Sequence, residues 1–213
     1  MFEDRIDAAL ALYPTLHDRV TKDTLIVGIP NGGIVIAHVL SKALHTPLGF
    51  VLVKRIPHPV NKKYAVGAVN QSSIKLFAHH GISKKYLDSQ CKIIEKELAN
   101  AAEYYSLSIG NQSYYNKDLI IVDDGIASGA TALSAIEYVK RHGPKSITIA
   151  VPVGSPVGLS KVDGKADQVI SLLQPSEFRF VSSYYETFRT CSLSFIDNLI
   201  RFTDKKREHK TII

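Results

Sequence analysis

Leu119-Ile120-Ile121-Val122-Asp123-Asp124-Gly125-Ile126-Ala127-Ser128-Gly129-Ala130-Thr131 sets four apolar residues before a pair of acids and follows the acids with small residues. The apolar run has the length and composition of a strand buried on both faces. Gly125 and Gly129 permit backbone dihedrals and close approaches that a Cβ would block. Successive N–H groups at the start of a helix make an anion site, and Ser128 and Thr131 add hydroxyls. An anion cradle beside two carboxylates suits a sugar phosphate: the cradle takes the phosphate and the acids accept from sugar hydroxyls. The stretch is not a Walker A loop, because it lacks the lysine and the spacing. A GxGxxG fingerprint is absent here and at residues 28–33. The plainer alternative is a strand–helix turn whose acids only cap the helix.

Outward from this stretch the chain alternates strand-like and helix-like segments. Residues 24–29 are a β-branched run ending at Pro30-Asn31-Gly32-Gly33, and residues 34–44 carry helical spacing. Residues 48–53 read as a second buried strand. Residues 54–66, with basic clusters and two prolines, read as a loop. Residues 67–70 and 73–78 suit a hairpin or two short strands. Ser83 suits the N-cap of a long helix to residue 106, with Leu87, Ile94, Leu98, Ala101 and Tyr105 on one face. A helix over 131–141 ends at Gly143-Pro144. Residues 146–153 and 168–173 are strands flanking a short helix opened by Ser155-Pro156. This order predicts an α/β fold, a mostly parallel sheet with helices on both faces. Ligands of such sheets bind beyond the carboxyl ends of the strands. Residues 30–33, 54–66 and 123–131 are therefore expected to converge.

The composition is compatible with that fold. The chain has 213 residues, 45% hydrophobic and 22% charged, the balance of a soluble globular domain that needs no disulfides or metal clips. A net charge of +6 admits an acidic partner: nucleic acid, an anionic membrane or a phosphorylated small molecule. Cys91 and Cys191 are too few for a disulfide framework and have no zinc spacing, so a reducing, cytoplasmic compartment is expected. The charged start, Met1-Phe2-Glu3-Asp4-Arg5, argues against a signal peptide, and the apolar runs are too short to span a membrane. His79-His80 reads as a turn rather than a metal site. Lys205-Lys206-Arg207 with Lys210 reads as a solvated terminus, with nucleic-acid contact as the sharper alternative.

The quoted stretch closely resembles the phosphoribosyl pyrophosphate (PRPP) motif of type I phosphoribosyltransferases. Gly28-Ile29-Pro30-Asn31-Gly32-Gly33, Val53-Lys54-Arg55, Ala65-Val66-Gly67-Ala68-Val69 and Tyr184-Tyr185-Glu186-Thr187-Phe188 extend the likeness. Together they are similar to a bacterial family of predicted phosphoribosyltransferases of undefined acceptor, over nearly the whole chain. The resemblance implies the type I fold: one domain over residues 1–213, with a small hood from residues 175–202 and the N-terminal residues. It implies an enzyme of nucleotide metabolism that moves the 5-phosphoribosyl group from PRPP to a nucleobase or amine and releases pyrophosphate.

The same resemblance assigns roles. Asp123 and Asp124 contact the ribose hydroxyls. Gly125, Ile126, Ala127, Ser128, Gly129, Ala130 and Thr131 hold the 5-phosphate. Pro30, Asn31, Gly32 and Gly33 match a pyrophosphate loop with a cis Pro30–Asn31 peptide. Lys54 and Arg55 assist it, and Lys62 and Lys63 lie on a flexible loop that closes over it. Mg2+ is implied near Asp123 and Asp124, held mainly through PRPP and water. Phe178, Tyr184 and Tyr185 are candidates to stack on the acceptor, the alternative being rings that pack the hood. Two positions depart from the family: Asn31, where an arginine is usual, and Lys63, where an acid is usual. Ala127 stands where 6-oxopurine salvage enzymes carry an aspartate. That disfavours hypoxanthine and guanine and leaves pyrimidine, orotate-like, adenine or non-nucleobase acceptors. The rival is a PRPP-binding regulator that contacts nucleic acid with little or no transferase activity. Relatives are often dimers, so a homodimer enters by analogy.

Overall fold

The apolar run after Asp23 forms β1 (Thr24–Gly28), buried at all five positions, as a strand covered on both faces must be. Before it lies α1 (Arg5–His17), capped by Asp4, whose carboxylate accepts from the Ile6 and Asp7 amides at 2.7 and 3.0 Å. After it come α2 (Gly32–Ala43), β2 (Leu48–Phe50), β3 (Val53–Pro57), β4 (Ala65–Asn70), β5 (Ile74–Leu76) and α3 (Lys84–Ile109). The chain closes with β6 (Asp118–Val122), α4 (Ala130–Lys140), β7 (Ser146–Val153), α5 (Pro156–Val162) and β8 (Gln168–Leu173). This computed structural model describes residues 1–62, 65–76, 81–192, 195–196 and 198–199.

Strands β2, β1, β6, β7 and β8 lie in that order in one parallel sheet. The order contains a reversal. From β1 the chain steps outward to β2, whereas from β6 it steps the other way through β7 to β8. Right-handed crossovers then place their helices on opposite faces. Leu12, Leu16, Ile36 and Leu40 of α1 and α2 pack on Ile26, Ile120 and Val122. Ile136, Val139 and Leu159 of α4 and α5 pack on Val27, Leu119 and Ile121. The seam between β1 and β6 is the topological switch point, whose carboxyl end is the ligand crevice of open α/β sheets. A bond from the Ile29 amide to the Val122 carbonyl, 3.0 Å, ties its two sides together.

Two expectations need correction. The second strand ends at Phe50, because the chain leaves the parallel sheet and enters β3 at Val53. Residues 54–66 are not one loop, because β3 pairs antiparallel with β4. Lys54 and Arg55 therefore lie on a strand, and only residues 58–64 connect the two. The expected hairpin after residue 65 is present as β4 and β5.

The three-stranded sheet is held between α3 and α4. Ile56 and Val69 join Leu87, Ile94 and Leu98 of α3, while Asn70 faces α4. Asn70 is 4% exposed, and its amide is fully used. Nδ2 donates to the Ser134 carbonyl and to Ser134 Oγ at 3.1 Å, and Oδ1 accepts from the Ser72 and Ser73 amides at 2.9 and 2.8 Å. Asn70→Ala would leave these groups unpaired and is expected to cost about 2 kcal/mol. The check is a lower urea midpoint at unchanged slope.

The start of the chain meets a late segment. Phe2 and Tyr185 form a parallel bridge, and the Phe2 amide donates to the Tyr184 carbonyl at 2.8 Å. Phe178, Val181, Tyr184 and Phe188 pack against the core under α1 and α2. Among the described residues no helix is long and apolar enough to cross a membrane.

Candidate functional site

The switch point brings the two sequence motifs together. Asp123 and Asp124 leave the end of β6, and residues 30–33 leave β1 with a cis Pro30–Asn31 peptide. α2 starts directly at Gly32, where a Cβ would overlap Asp124 Oδ2 and lie 2.5 Å from Arg5 Nε. Only glycine lets the loop, the acid and the arginine share that space.

The two carboxylates are engaged on one oxygen each. Asp123 Oδ1 accepts from the Asp124 amide at 2.8 Å. Asp124 Oδ2 accepts from Arg5 Nε at 3.0 Å and Nη2 at 2.8 Å, with side-chain exposures of 17% for the acid and 10% for the arginine. Asp123 Oδ2 and Asp124 Oδ1 accept no hydrogen bond among the described residues. Arg5 Nη1 donates to the Arg189 carbonyl at 2.8 Å, and the guanidinium lies 3.9 Å from the centre of the Phe188 ring. The Tyr185 hydroxyl donates to the Asp124 carbonyl at 2.7 Å.

Burial and then the neighbouring Asp124 charge hold the Asp123 carboxyl well above the usual carboxylate range; Arg55 and Arg5 pull against them. Burial also raises Asp124, opposed first by the charge and hydrogen bonds of Arg5. The Tyr185 hydroxyl is raised, chiefly by burial, so it remains a donor.

The segment after the acids forms a cradle. Gly129 has φ of +78°, the left-handed conformation that turns the chain into α4. The carbonyls of the loop are taken up from outside: the Ser155 amide donates to the Ile126 carbonyl at 2.7 Å, and Ser155 Oγ donates to the Ala127 carbonyl. The amides of Ala127, Ser128, Gly129, Thr131 and Ala132 have no acceptor among the described residues. Ala127 and Ser128 are exposed, and Ser128 Oγ accepts from the Ala130 amide at 3.4 Å. The loop thus leaves unpaired donors at a helix N-terminus, two of them on exposed residues, the arrangement that binds anions.

The remaining sequence candidates separate. Paired residues of β3 and β4 share a face, so Arg55 lies with Ala68 on the α4 side and Lys54 with Val69 on the α3 side. Arg55 is the strand cation whose field reaches both acids. Lys54 turns away and pairs with Glu97 of α3, 2.5 Å between Nζ and Oε2. Lys62 is exposed, and Lys63 lies outside the described residues, as do His79 and His80. Phe178 and Tyr184 stack on each other, centroids 5.7 Å apart, and Tyr184 donates to the Glu177 carbonyl at 3.1 Å. Tyr185 is 5% exposed. All three rings pack on the core, and the burial of Tyr185 leaves it no open face for stacking on a base.

Sequence reasoning missed Arg5 and Val181. Val181 lies over Gly125, where a Cβ would come within 2.7 Å of its methyl carbon. Neither residue has a local signal, because Arg5 reaches Asp124, and Val181 reaches Gly125, only through the tertiary fold. Among the described residues no three His, Cys, Asp or Glu side chains cluster as a metal cage.

A family model, the phosphoribosyl transferase domain, matches residues 7–189. A Mycobacterium tuberculosis protein named "Putative phosphoribosyl transferase" is 29% identical over 210 residues, 96% of this chain and 47% of that protein. The chain thus spans about half the length of that curated relative. A uracil phosphoribosyltransferase of Clostridioides difficile is 35% identical over 75 residues, 35% of each chain. A crystal structure of a Thermus thermophilus protein superposes with a TM-score of 0.76 at 29% identity, covering 93% of this chain and 97% of that one.

Proposed function

This chain belongs to the phosphoribosyl transferase domain family, and from that premise we propose that it moves the 5-phosphoribosyl group of PRPP to a nucleobase or amine and releases pyrophosphate. The observation that carries the reading is the switch-point crevice. Two unengaged carboxylate oxygens lie there, with unpaired amides on one side and the loop of residues 30–33 on the other.

On this reading the 5-phosphate accepts from the amides of Ala127, Ser128, Gly129, Thr131 and Ala132 at the start of α4. The ribose hydroxyls donate to Asp123 Oδ2 and Asp124 Oδ1, and pyrophosphate faces residues 30–33 and Arg55. Breaking the bond at C1 of ribose builds positive charge on the ring and negative charge on the leaving group. Donors already fixed in place stabilise that charge without reorganising. The donor set, two carboxylates with no third ligand among the described residues, suits a Mg2+ that would take its other ligands from phosphates and water. When bound, the ion neutralises charge on the leaving pyrophosphate. Residues 58–62, which follow β3, would exclude water by closing over it.

Of the two neighbouring cations, Arg55 should matter to PRPP and Lys54 should not. Arg55→Ala is expected to weaken PRPP binding about tenfold, the size of one lost charge contact, whereas Lys54→Ala leaves affinity within about twofold. Calorimetric titration reads both, and equal losses would return Lys54 to the site.

The acceptor panel starts with pyrimidines, because of the partial likeness to a uracil enzyme; Ala127 disfavours only the 6-oxopurines. Adenine, orotate-like acids and amines follow. The deciding experiment titrates PRPP with and without Mg2+, then follows pyrophosphate release across the panel. Binding with release is expected. Failure to bind PRPP would overturn the reading, and binding without release from any acceptor would replace it with a PRPP-binding regulator.

A further inference from the structure

We propose that Arg5 is a positioning residue of the PRPP site: its guanidinium pins one oxygen of Asp124 and leaves the other to a ribose hydroxyl. The inference rests on the PRPP reading above. Arg5 stands in the first turn of a helix with no motif of its own, yet its side chain is nine-tenths buried. A buried guanidinium is costly unless paired, and this one is held on three sides. Two of its N–H groups converge on Asp124 Oδ2, a third donates to the Arg189 carbonyl, and its flat face covers Phe188. A lysine cannot reproduce this planar fork.

The partner is what gives the contact a functional meaning. Two adjacent buried carboxylates cannot both ionise cheaply. The charged and titratable groups around Asp124 are Arg5 from α1, Asp123 beside it, Arg55 from β3, and the Tyr185 hydroxyl and Cys191 thiol from the late segment. Burial raises the hydroxyl and the thiol, so both are neutral and only the two arginines oppose the acids. Arg5 is the one in direct contact: both of its bonds end on Oδ2, so they fix the rotation of the Asp124 carboxylate and leave Oδ1 as the open acceptor. A hydrogen bond to an ionised carboxylate is about twice as strong as one to a neutral group.

The test is the discrimination between ribose 5-phosphate and its 2-deoxy and 3-deoxy analogues, measured by calorimetry at one neutral pH on the full chain and three variants. The parent is expected to prefer the sugar with both hydroxyls about tenfold, the size of one hydrogen bond to a charged group, and Arg5→Gln should lose most of that preference. Arg5→Lys should keep part of it, because the cation remains without the planar fork. Phe188→Leu loosens the same packing but keeps the guanidinium, so it should lower the melting temperature and keep the preference. A full preference in Arg5→Gln, or an equal loss in Phe188→Leu, would overturn the proposal and leave the PRPP reading standing. A parent that binds none of the three sugars would overturn both. If Arg5→Gln does not fold, Arg5→Lys carries the same comparison, with a smaller loss expected and no loss as the refutation.

Discussion

Asp123→Asn is expected to weaken PRPP binding by at least about a hundredfold while making the folded protein more stable at alkaline pH. The amide is isosteric and its oxygen can still accept from the Asp124 amide, the bond of 2.8 Å seen for Asp123 Oδ1. On the other side it presents an NH2 group where, on the proposed reading, a ribose hydroxyl donates, so an acceptor is replaced by a donor. A hundredfold corresponds to about 2.7 kcal/mol, the scale of a lost charged hydrogen bond. The stability effect has the opposite sign. Asp123 has a folded-state carboxyl raised well above the ordinary value, first by burial and then by Asp124. Between the unfolded value and the raised folded value, the folded protein binds more protons than the unfolded chain. Stability is therefore full at acid pH and lost as pH rises through the folded value. Asparagine has no proton to lose, so the difference in unfolding free energy between variant and parent should widen from acid to alkaline buffer. Denaturant melts at several pH values read it. A gap that narrows with pH, or retained PRPP affinity, would refute the assignment.

Gly32→Ala should damage both the fold and the site. Its Cβ would occupy the space of Asp124 Oδ2 and approach Arg5 Nε to 2.5 Å. The loop cannot retreat freely, because a Cβ at the next residue, Gly33, would already lie 2.5 Å from the Val122 carbonyl, and Ile29 is bonded to that same carbonyl. The ion pair must yield instead. Separating two largely buried charges costs about 3 kcal/mol, and Asp124 loses the orientation that leaves Oδ1 to a ligand. A lowered urea midpoint together with undetectable PRPP binding is expected. Normal affinity in Gly32→Ala would show that the Arg5–Asp124 pair is dispensable for binding.

The core strands were readable because a parallel strand covered on both faces is a continuous apolar run bounded by turn residues. β7 (Ser146–Val153) coincides with the sequence reading for that reason, whereas β8 (Gln168–Leu173) is a half-buried edge strand that was still legible as a short, mostly apolar run. β3 was hidden. Lys54 and Arg55 are polar on opposite faces of one strand, one meeting Glu97 and the other facing the acids, so the alternation expected of a half-buried strand is broken. α1 was hidden as well: two of its five buried residues are Ala8 and Ala9, a third is Arg5, and Pro14 sits inside it. The acid pair, the cradle and residues 30–33 were legible because each motif is contiguous. Arg5 was not, because an arginine in a first helical turn ordinarily points to solvent, and its partner lies 119 positions away.

Those long separations also govern when the crevice can exist. Arg5 meets Asp124 across 119 positions and the Arg189 carbonyl across 184. Contacts so distant along the chain are slow to form, since the ends of a large loop must first be brought together. A chain emerging from the ribosome can assemble most of its parallel sheet while Arg5 still has only solvent for a partner. Tyr185, Phe188 and Arg189 follow all five strands of the parallel sheet, so competence to bind PRPP should appear abruptly once they have emerged, and ribosome-stalled chains lacking those residues should not bind it.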